Sequence, residues 1–189
     1  MKHLEIEYKT LLTKDEFKRL DLLFSHVPQV TQTNYYFDTA DFQLKKHRLS
    51  LRIRTFSQSA ELTLKIPQDV GNLEFNAELS LEKAKELIRT GHFPINTVTQ
   101  PILDAGIDLS KLNLLGNLTT IRRESQIDIG LIALDSNRYA QIKDYELELE
   151  VNDASKGEAD FQAFLKKYNI NYKFAKSKLA RFASTLPKN

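Results

Sequence analysis

Residues 4–9 read Leu4-Glu5-Ile6-Glu7-Tyr8-Lys9, and this stretch decides how the chain is read. Successive side chains of a strand point to opposite faces, so Glu5, Glu7 and Lys9 share one face while Leu4, Ile6 and Tyr8 share the other. The alternation predicts a single strand over residues 3–11 whose charged face is as continuous as its apolar one. Thr13, with Glu16 three positions on, then predicts a capping box and a helix from Asp15 to Phe24.

The same layout recurs along the chain. Arg52 and Arg54 share a face against Leu51 and Ile53, and Lys65 lies opposite Leu62, Leu64 and Ile66. Arg122 and Glu124 alternate with Ile121, and Glu146, Glu148 and Glu150 alternate with Tyr145, Leu147, Leu149 and Val151. Residues 49–56 and 60–66 read as a hairpin, residues 29–39 as a strand ending at the turn-former Asp38, and residues 74–79 as a short extended piece. Three strand candidates follow at 115–129, 130–136 and 141–151, with Gly130 and Asn137 as turn points. Ser80 caps a helix through Leu87 or Ile88, residues 94–105 are helical or irregular, and Phe161, Phe164, Leu165 and Tyr168 mark a later helix face. Residues 176–185 read as a short last helix. Strands in two sets with helices between and after them predict an α+β fold with a mostly antiparallel sheet, and seven or eight strands can close a barrel that holds one small ligand.

Composition narrows the chemistry. The chain has 189 residues, 27 Lys plus Arg against 25 Asp plus Glu, and no Cys. One domain over residues 1–189 is the expectation, thiolate catalysis and Cys-based zinc sites are excluded, and a net charge of +2 gives no argument for nucleic acid or anionic membrane. The four His have no partner at metal spacing. Without a signal-like apolar run, the expected location is the cytoplasm.

Like charges on neighbouring strands destabilise a sheet unless something offsets them. Glu5, Glu7, Glu146 and Glu148, facing each other, would make a hard-oxygen cluster suited to Mg²⁺ or Mn²⁺. Arg52, Arg54, Lys65 and Arg122 would supply donors for several phosphoryl oxygens. Carboxylates on one side and guanidinium groups on the other point to a metal-bound polyphosphate.

Eight pieces in order resemble the CYTH family, also called triphosphate tunnel metalloenzymes: E-I-E-Y-K (5–9), Y-Y-F-D-T (35–39), L-R-I-R (51–54), L-T-L-K (62–65), T-I-R-R-E (120–124), A-L-D (133–135), E-L-E-L-E (146–150) and S-K-L-A-R (177–181). The resemblance implies an eight-stranded antiparallel β-barrel forming a charged tunnel, with helices packed outside and a C-terminal helix near one end. It implies metal-dependent hydrolysis of a triphosphate, whether inorganic tripolyphosphate or a nucleoside or thiamine triphosphate, with Mg²⁺ or Mn²⁺ as cofactor and a small molecule as partner. By position Glu5, Glu7, Glu146 and Glu148 match metal ligands and, with Lys9, catalytic residues; Glu150, Asp135, Glu78 and Glu124 are further acidic candidates. Lys9, Arg52, Arg54, Lys65, Arg122, Lys178 and Arg181 match the phosphate-binding set. Where many members carry an Arg two residues before a Glu, this chain has Asn76 and Glu78. Arg123 has the opposite parity to Arg122 and is expected on the other face. Two alternatives stand beside hydrolysis: a class IV adenylate cyclase, for which the sequence marks no base pocket, and a polyphosphate- or nucleotide-binding module without turnover.

Overall fold

The computed structural model describes residues 1–187. The chain divides into two compact units, one formed by Met1–Glu5 and Gln32–Leu118, the other by Ile6–Thr31 and Thr119–Asn189. The boundary at Ile6 splits the predicted first strand. Its front half is β1 (Lys2–Glu5) and its back half β2 (Glu7–Leu12), with Ile6 outside both. Nine strands are therefore present among the described residues where the sequence predicts eight. The cause is pairing: β1 hydrogen-bonds to β6 (Asn72–Leu79), whereas β2 pairs with β9 (Ile142–Val151). Ile6 between them turns its carbonyl to the Val151 N–H at 2.9 Å. The α+β class and the antiparallel pairing are as expected.

In the first unit the ladder runs β1-β6-β5-β4-β3, with β3 at Gln29–Thr39, β4 at Ser50–Thr55 and β5 at Ala60–Pro67. The predicted hairpin is β4 and β5, and β6 extends the short piece foreseen at 74–79 back to Asn72. Phe37, Leu51, Ile53, Leu62 and Leu64 lie on one face of this ladder and are buried against α3 (Leu81–Thr90), α4 (Gln100–Asp104) and the segments between them. Each such side chain stabilises by about 1.5–3 kcal/mol on burial, which holds the opposite, polar face in register. Ser80 caps α3 as predicted, accepting from the Lys83 N–H at 3.1 Å. Asp38 does not end its strand as a solvent turn; it is buried and accepts hydrogen bonds from the N–H groups of Thr39, Leu44 and Lys45, which shapes the entry to the short α2 (Gln43–Lys46).

In the second unit the part of β7 (Leu112–Ile127) from Thr119 onward, β8 (Gly130–Tyr139), β9 and β2 pair in that order. Leu12, Ile132, Leu134, Leu147 and Leu149 form its apolar face, covered by α1 (Lys14–Leu23) and α5 (Gly157–Lys167) through Leu20, Phe24, Phe161, Phe164 and Leu165. Thr13 and Glu16 make the predicted capping box, and Glu16 also accepts from the Lys173 ammonium at 2.8 Å. Gly130, expected as a turn point, is the first residue of β8 and pairs with Ile127 across the turn at 128–129; its φ is +151°, and a Cβ there would lie 2.0 Å from the Glu150 carbonyl oxygen. Asn137 is a correction: it lies inside β8, paired with Thr120 and Asp144. Its buried amide accepts from the Thr120 hydroxyl at 2.7 Å and donates to Asp144 at 3.0 Å, so a turn-forming residue type serves the ladder instead.

Candidate active site

Antiparallel register decides which charges meet. In the second unit Arg122 lies opposite Asp135 and Asp135 opposite Glu146, so three neighbouring strands bring these side chains to one face. Lys9 lies opposite Glu148, whereas Glu7 lies opposite Glu150. The last contributor comes from α6 (Lys178–Ala183): Ser177 caps it by accepting from the Ala180 N–H, so Lys178 and Arg181 stand three residues apart on one helix face.

These groups form a tight ionic cluster. The Lys178 ammonium lies 2.8 Å from Asp135, 3.0 Å from Glu146 and 2.6 Å from Glu148. Arg122 binds Asp135 through two donors at 2.7 Å each and reaches Glu148 at 2.5 Å. Arg181 holds Glu146 at 2.5 Å and lies 3.0 Å from Asp144. Asp135 and Glu146 are fully buried. Burial by itself would favour the neutral acids, but Lys178 and Arg122 beside them hold Asp135 below the ordinary carboxylate range and Glu148 well below it. On the cation side, burial opposes charge and is outweighed by Asp135, Glu146 and Glu148, so Lys178 stays protonated. Lys9, desolvated yet hydrogen-bonded to Glu7 at 2.5 Å and near Glu148, is raised as well.

Oxygens of Asp135, Glu146 and Glu148 all lie within 4.8 Å of one another. Three carboxylates at that spacing suit a hard divalent cation. The cation they hold in this structure is the Lys178 ammonium, within 3.0 Å of all three.

The first unit carries a second, looser set. Lys65 bridges Glu5 and Glu74, both at 2.5 Å. Arg54 donates to the Asn34 side-chain oxygen at 3.0 Å and lies 3.4 Å from Glu61, and Arg52 lies 4.0 Å from the same Glu61. Burial would raise the Glu74 acid, but Lys65 and Arg52 bring it down to about 2. Four buried donors of this unit, on Gln32, Asn34, Arg52 and Thr63, have no hydrogen-bond partner among the described residues.

A sequence profile of the CYTH domain matches residues 3–183, nearly the whole chain. The chain belongs to the CYTH family. This CYTH chain is 37% identical over 183 residues to a Bacillus subtilis (strain 168) protein named "Putative triphosphatase YjbK", covering 95% of this chain and 94% of that one. Among solved structures, a Bacillus halodurans protein described as "a putative adenylate cyclase" is 38% identical with a TM-score of 0.90, covering 96% of this chain and 98% of its own. A Hippeastrum protein described as a "putative adenylyl cyclase" with "a dominant" triphosphatase activity is 24% identical with a TM-score of 0.83 over 96% of each chain, which speaks for the fold.

In this CYTH chain the structure brings Glu146, Glu148, Asp135, Arg122, Lys178 and Arg181 together, with Lys9 and Glu7 beside them. Glu124 sits at the rim, half-exposed, 3.1 Å from Arg122. Glu150 is half-buried on the Glu7 register, and Glu78 is exposed opposite Glu61. Glu5, expected on one strand face with Glu7, belongs to the first unit with Lys65, Arg52 and Arg54. Arg123 does lie on the other face, bonded to Asp21 at 2.7 Å and to the Val27 carbonyl. Sequence reasoning missed Glu74, Glu61 and Asp144. Glu74 and Glu61 share the strand parity of the charged faces, and that signal would have found them; Asp144 shares the Glu146 parity but sits at the start of its strand.

Proposed function

We propose that this CYTH chain is a metal-dependent triphosphatase acting on inorganic tripolyphosphate or on a nucleoside or thiamine triphosphate, and that its two units work as one domain. The observation that carries the reading is the cluster around Lys178, in which three carboxylates spaced for a divalent cation are interleaved with three protonated side chains. A pure anion binder has no use for the carboxylates, and a structural ion-pair network does not need three that converge on one point. The triphosphatase name of the 37%-identical B. subtilis relative supports the same reading.

In this proposal Asp135, Glu146 and Glu148 hold the metal, with Glu7 as the next carboxylate on the same face and Glu5 the corresponding one of the first unit. Bound there, Mg²⁺ or Mn²⁺ would polarise phosphoryl oxygens and lower the pKa of a coordinated water. Lys178, Arg122 and Lys9 are protonated throughout the physiological range and take phosphoryl oxygens, so their charge is offset by substrate when the carboxylates turn to the metal. Arg181 keeps Glu146 aimed by its two donors. Within the first unit Arg52, Arg54 and Lys65 are the phosphate-binding candidates, and the unpartnered donors of Arg52, Asn34 and Thr63 are suited to the oxygens of an anion. Phosphoryl transfer asks mainly for this positioning and charge stabilisation, since charge spreads over the departing oxygens in the transition state.

The test is one incubation with Mg²⁺ or Mn²⁺ and, separately, tripolyphosphate, ATP and thiamine triphosphate, reading phosphate, pyrophosphate and cyclic AMP. Phosphate release that stops on chelation is expected. Pyrophosphate with cyclic AMP would replace the reading by the cyclase one that the B. halodurans description suggests, and no product from any of the three would leave a binding module.

A further inference from the structure

Arg181, itself buried, carries a side-chain donor, Nε, that has no hydrogen-bond partner among the described residues. Its other two nitrogens are engaged: Nη1 donates to the Lys176 carbonyl at 2.6 Å and to Glu146 Oε1 at 3.3 Å, and Nη2 donates to Glu146 Oε2 at 2.5 Å. Nε has a carboxylate beside it all the same. Asp144 Oδ2 lies 3.0 Å away, close enough for ionic attraction but not aligned with the N–H. We propose that Asp144 is a positioning residue of the site, taking over the Arg181 guanidinium when Glu146 turns from it to a divalent cation. This rests on the reading that Asp135, Glu146 and Glu148 hold that cation.

Strand register explains why an aspartate stands there. Asn137 lies opposite Thr120 on one side and Asp144 on the other, two residues along from the row formed by Arg122, Asp135 and Glu146. Side chains two apart on a strand share a face, so this polar row lies next to the charged one. Thr120 and Asn137 are fully buried. The Thr120 hydroxyl donates to Asn137 Oδ1 at 2.7 Å, and the Asn137 amide donates to Asp144 Oδ1 at 3.0 Å. Tyr139, on the same face of β8, donates from its hydroxyl to Asp144 Oδ2 at 2.7 Å. Burial first and the Asp144 carboxylate second push the Tyr139 phenol up to about 12, so it remains a donor. Neutral donors therefore hold Asp144 at both oxygens, and its charge is left for Arg181.

The need for such a partner follows from the burial of Glu146. That carboxylate is fully buried between Lys178, at 3.0 Å, and Arg181. If its fork with Arg181 loosened with nothing else in reach, a guanidinium would be left buried without a counter-charge, which is strongly destabilising. A guanidinium offers donors along two edges, one ending at Nε and one formed by Nη1 and Nη2. In this structure Glu146 takes the second edge and Asp144 stands at the first. A small tilt of Arg181 towards Asp144 would align Nε–H with a carboxylate and release a Glu146 oxygen. The same tilt gives the unpartnered Nε its acceptor.

The test reads Mn²⁺ binding to the full chain by electron paramagnetic resonance, without substrate. Asp144→Asn keeps the shape of the side chain and removes its charge; it should weaken Mn²⁺ binding roughly 10- to 100-fold while KM for tripolyphosphate at saturating Mn²⁺ stays within about twofold. Tyr139→Phe leaves the carboxylate with one donor fewer and should weaken Mn²⁺ binding about 2- to 10-fold; it decides the matter if Asp144→Asn does not fold. In an Arg181→Met background the Asp144→Asn effect should vanish, because Asp144 acts through Arg181. In ¹H–¹⁵N spectra the Arg181 Nε–H resonance, identified by its absence from Arg181→Met, should move downfield when Mg²⁺ is added to wild type. Equal losses of Mn²⁺ affinity with and without Arg181, unchanged affinity in the folded variants, or an Nε–H resonance that Mg²⁺ does not move would overturn the proposal. Glu148→Gln separates this failure from that of the metal assignment. If wild type binds no Mn²⁺, or Glu148→Gln binds it as wild type does, the metal assignment fails and the role of Asp144 with it; if Glu148→Gln abolishes binding and the Asp144 and Tyr139 variants do not weaken it, the role of Asp144 alone is wrong.

Discussion

The two units show the same alternation of charge and apolar side chains and put it to different states of satisfaction. In the second unit every cation of the cluster lies within 3.0 Å of a carboxylate: Lys9 on Glu7, Arg122 on Asp135 and Glu148, Lys178 on three acids, Arg181 on Glu146. In the first unit Arg52 comes no nearer to Glu61 than 4.0 Å, and buried donors of Gln32, Asn34, Arg52 and Thr63 have no partner among the described residues. An unpaired buried donor costs about 1–3 kcal/mol, so the first unit, with four such donors, is built at a disadvantage that an anion would relieve, while in the second Arg181 Nε is the comparable donor among the described residues and lies 3.0 Å from Asp144.

The largest effect should come from unbalancing the second unit. Glu148→Gln leaves Arg122 and Lys178 short of a counter-charge in a buried site; the expectation is a loss of about 3–5 kcal/mol in denaturant unfolding and at least a ~100-fold drop in turnover. A variant with near wild-type turnover would remove Glu148 from the proposed site.

Lys178→Met tests the exchange. It exposes Asp135, Glu146 and Glu148 to one another, so the metal-free protein should lose about 3 kcal/mol, or roughly 6–12 °C in melting temperature. Mn²⁺ should restore more of that than it adds to wild type, because the ammonium no longer competes for the same three carboxylates. Equal shifts in both proteins would mean that metal binds elsewhere.

A pH effect of intermediate size separates the units again. Glu74, at about 2 in the folded chain against 4.5 for a free side chain, binds its proton more readily unfolded than folded. Its contribution is therefore complete above pH 4.5 and is lost as pH falls from there towards 2. Melting temperatures between pH 2 and 6 should fall less steeply in Glu74→Gln than in wild type, and parallel curves would contradict the Lys65–Glu74 pairing.

The smallest effect is the sharpest contrast. Thr63→Val replaces a fully buried hydroxyl that has no partner by a methyl of the same shape, which should stabilise by up to about 1 kcal/mol, or roughly 2–4 °C, while raising KM for tripolyphosphate a few-fold. A lower melting temperature would show that the hydroxyl is satisfied and that the two units do not differ in this way.

Much of this was legible before any coordinates. Period-two alternation sorted Arg52, Arg54, Lys65, Arg122, Glu146 and Glu148 from the apolar residues beside them, because strand geometry leaves no other arrangement of neighbouring side chains. The Thr13–Glu16 capping box, the Ser80 cap and the β4–β5 hairpin followed from equally local rules. Asn137 failed for the reverse reason: its side chain prefers turns when solvated, but Thr120 and Asp144 on neighbouring strands give it buried partners. Glu74 was overlooked although its strand parity marks it as part of the charged face; only its pairing with Lys65 depends on register, which no local feature reveals.

By itself the sequence determined the family, the α+β class and which face of each strand carries charge, all of which depend on residue order and short-range sterics. Only the tertiary structure decided that residues 4–9 are two strands with Glu5 and Glu7 in different units, since each half pairs with a strand far along the chain. It also decided that Lys178 sits among Asp135, Glu146 and Glu148, and that Arg181 stands between Glu146 and Asp144. Those placements depend on contacts between residues more than twenty-five positions apart, whose partners are chosen by register and packing.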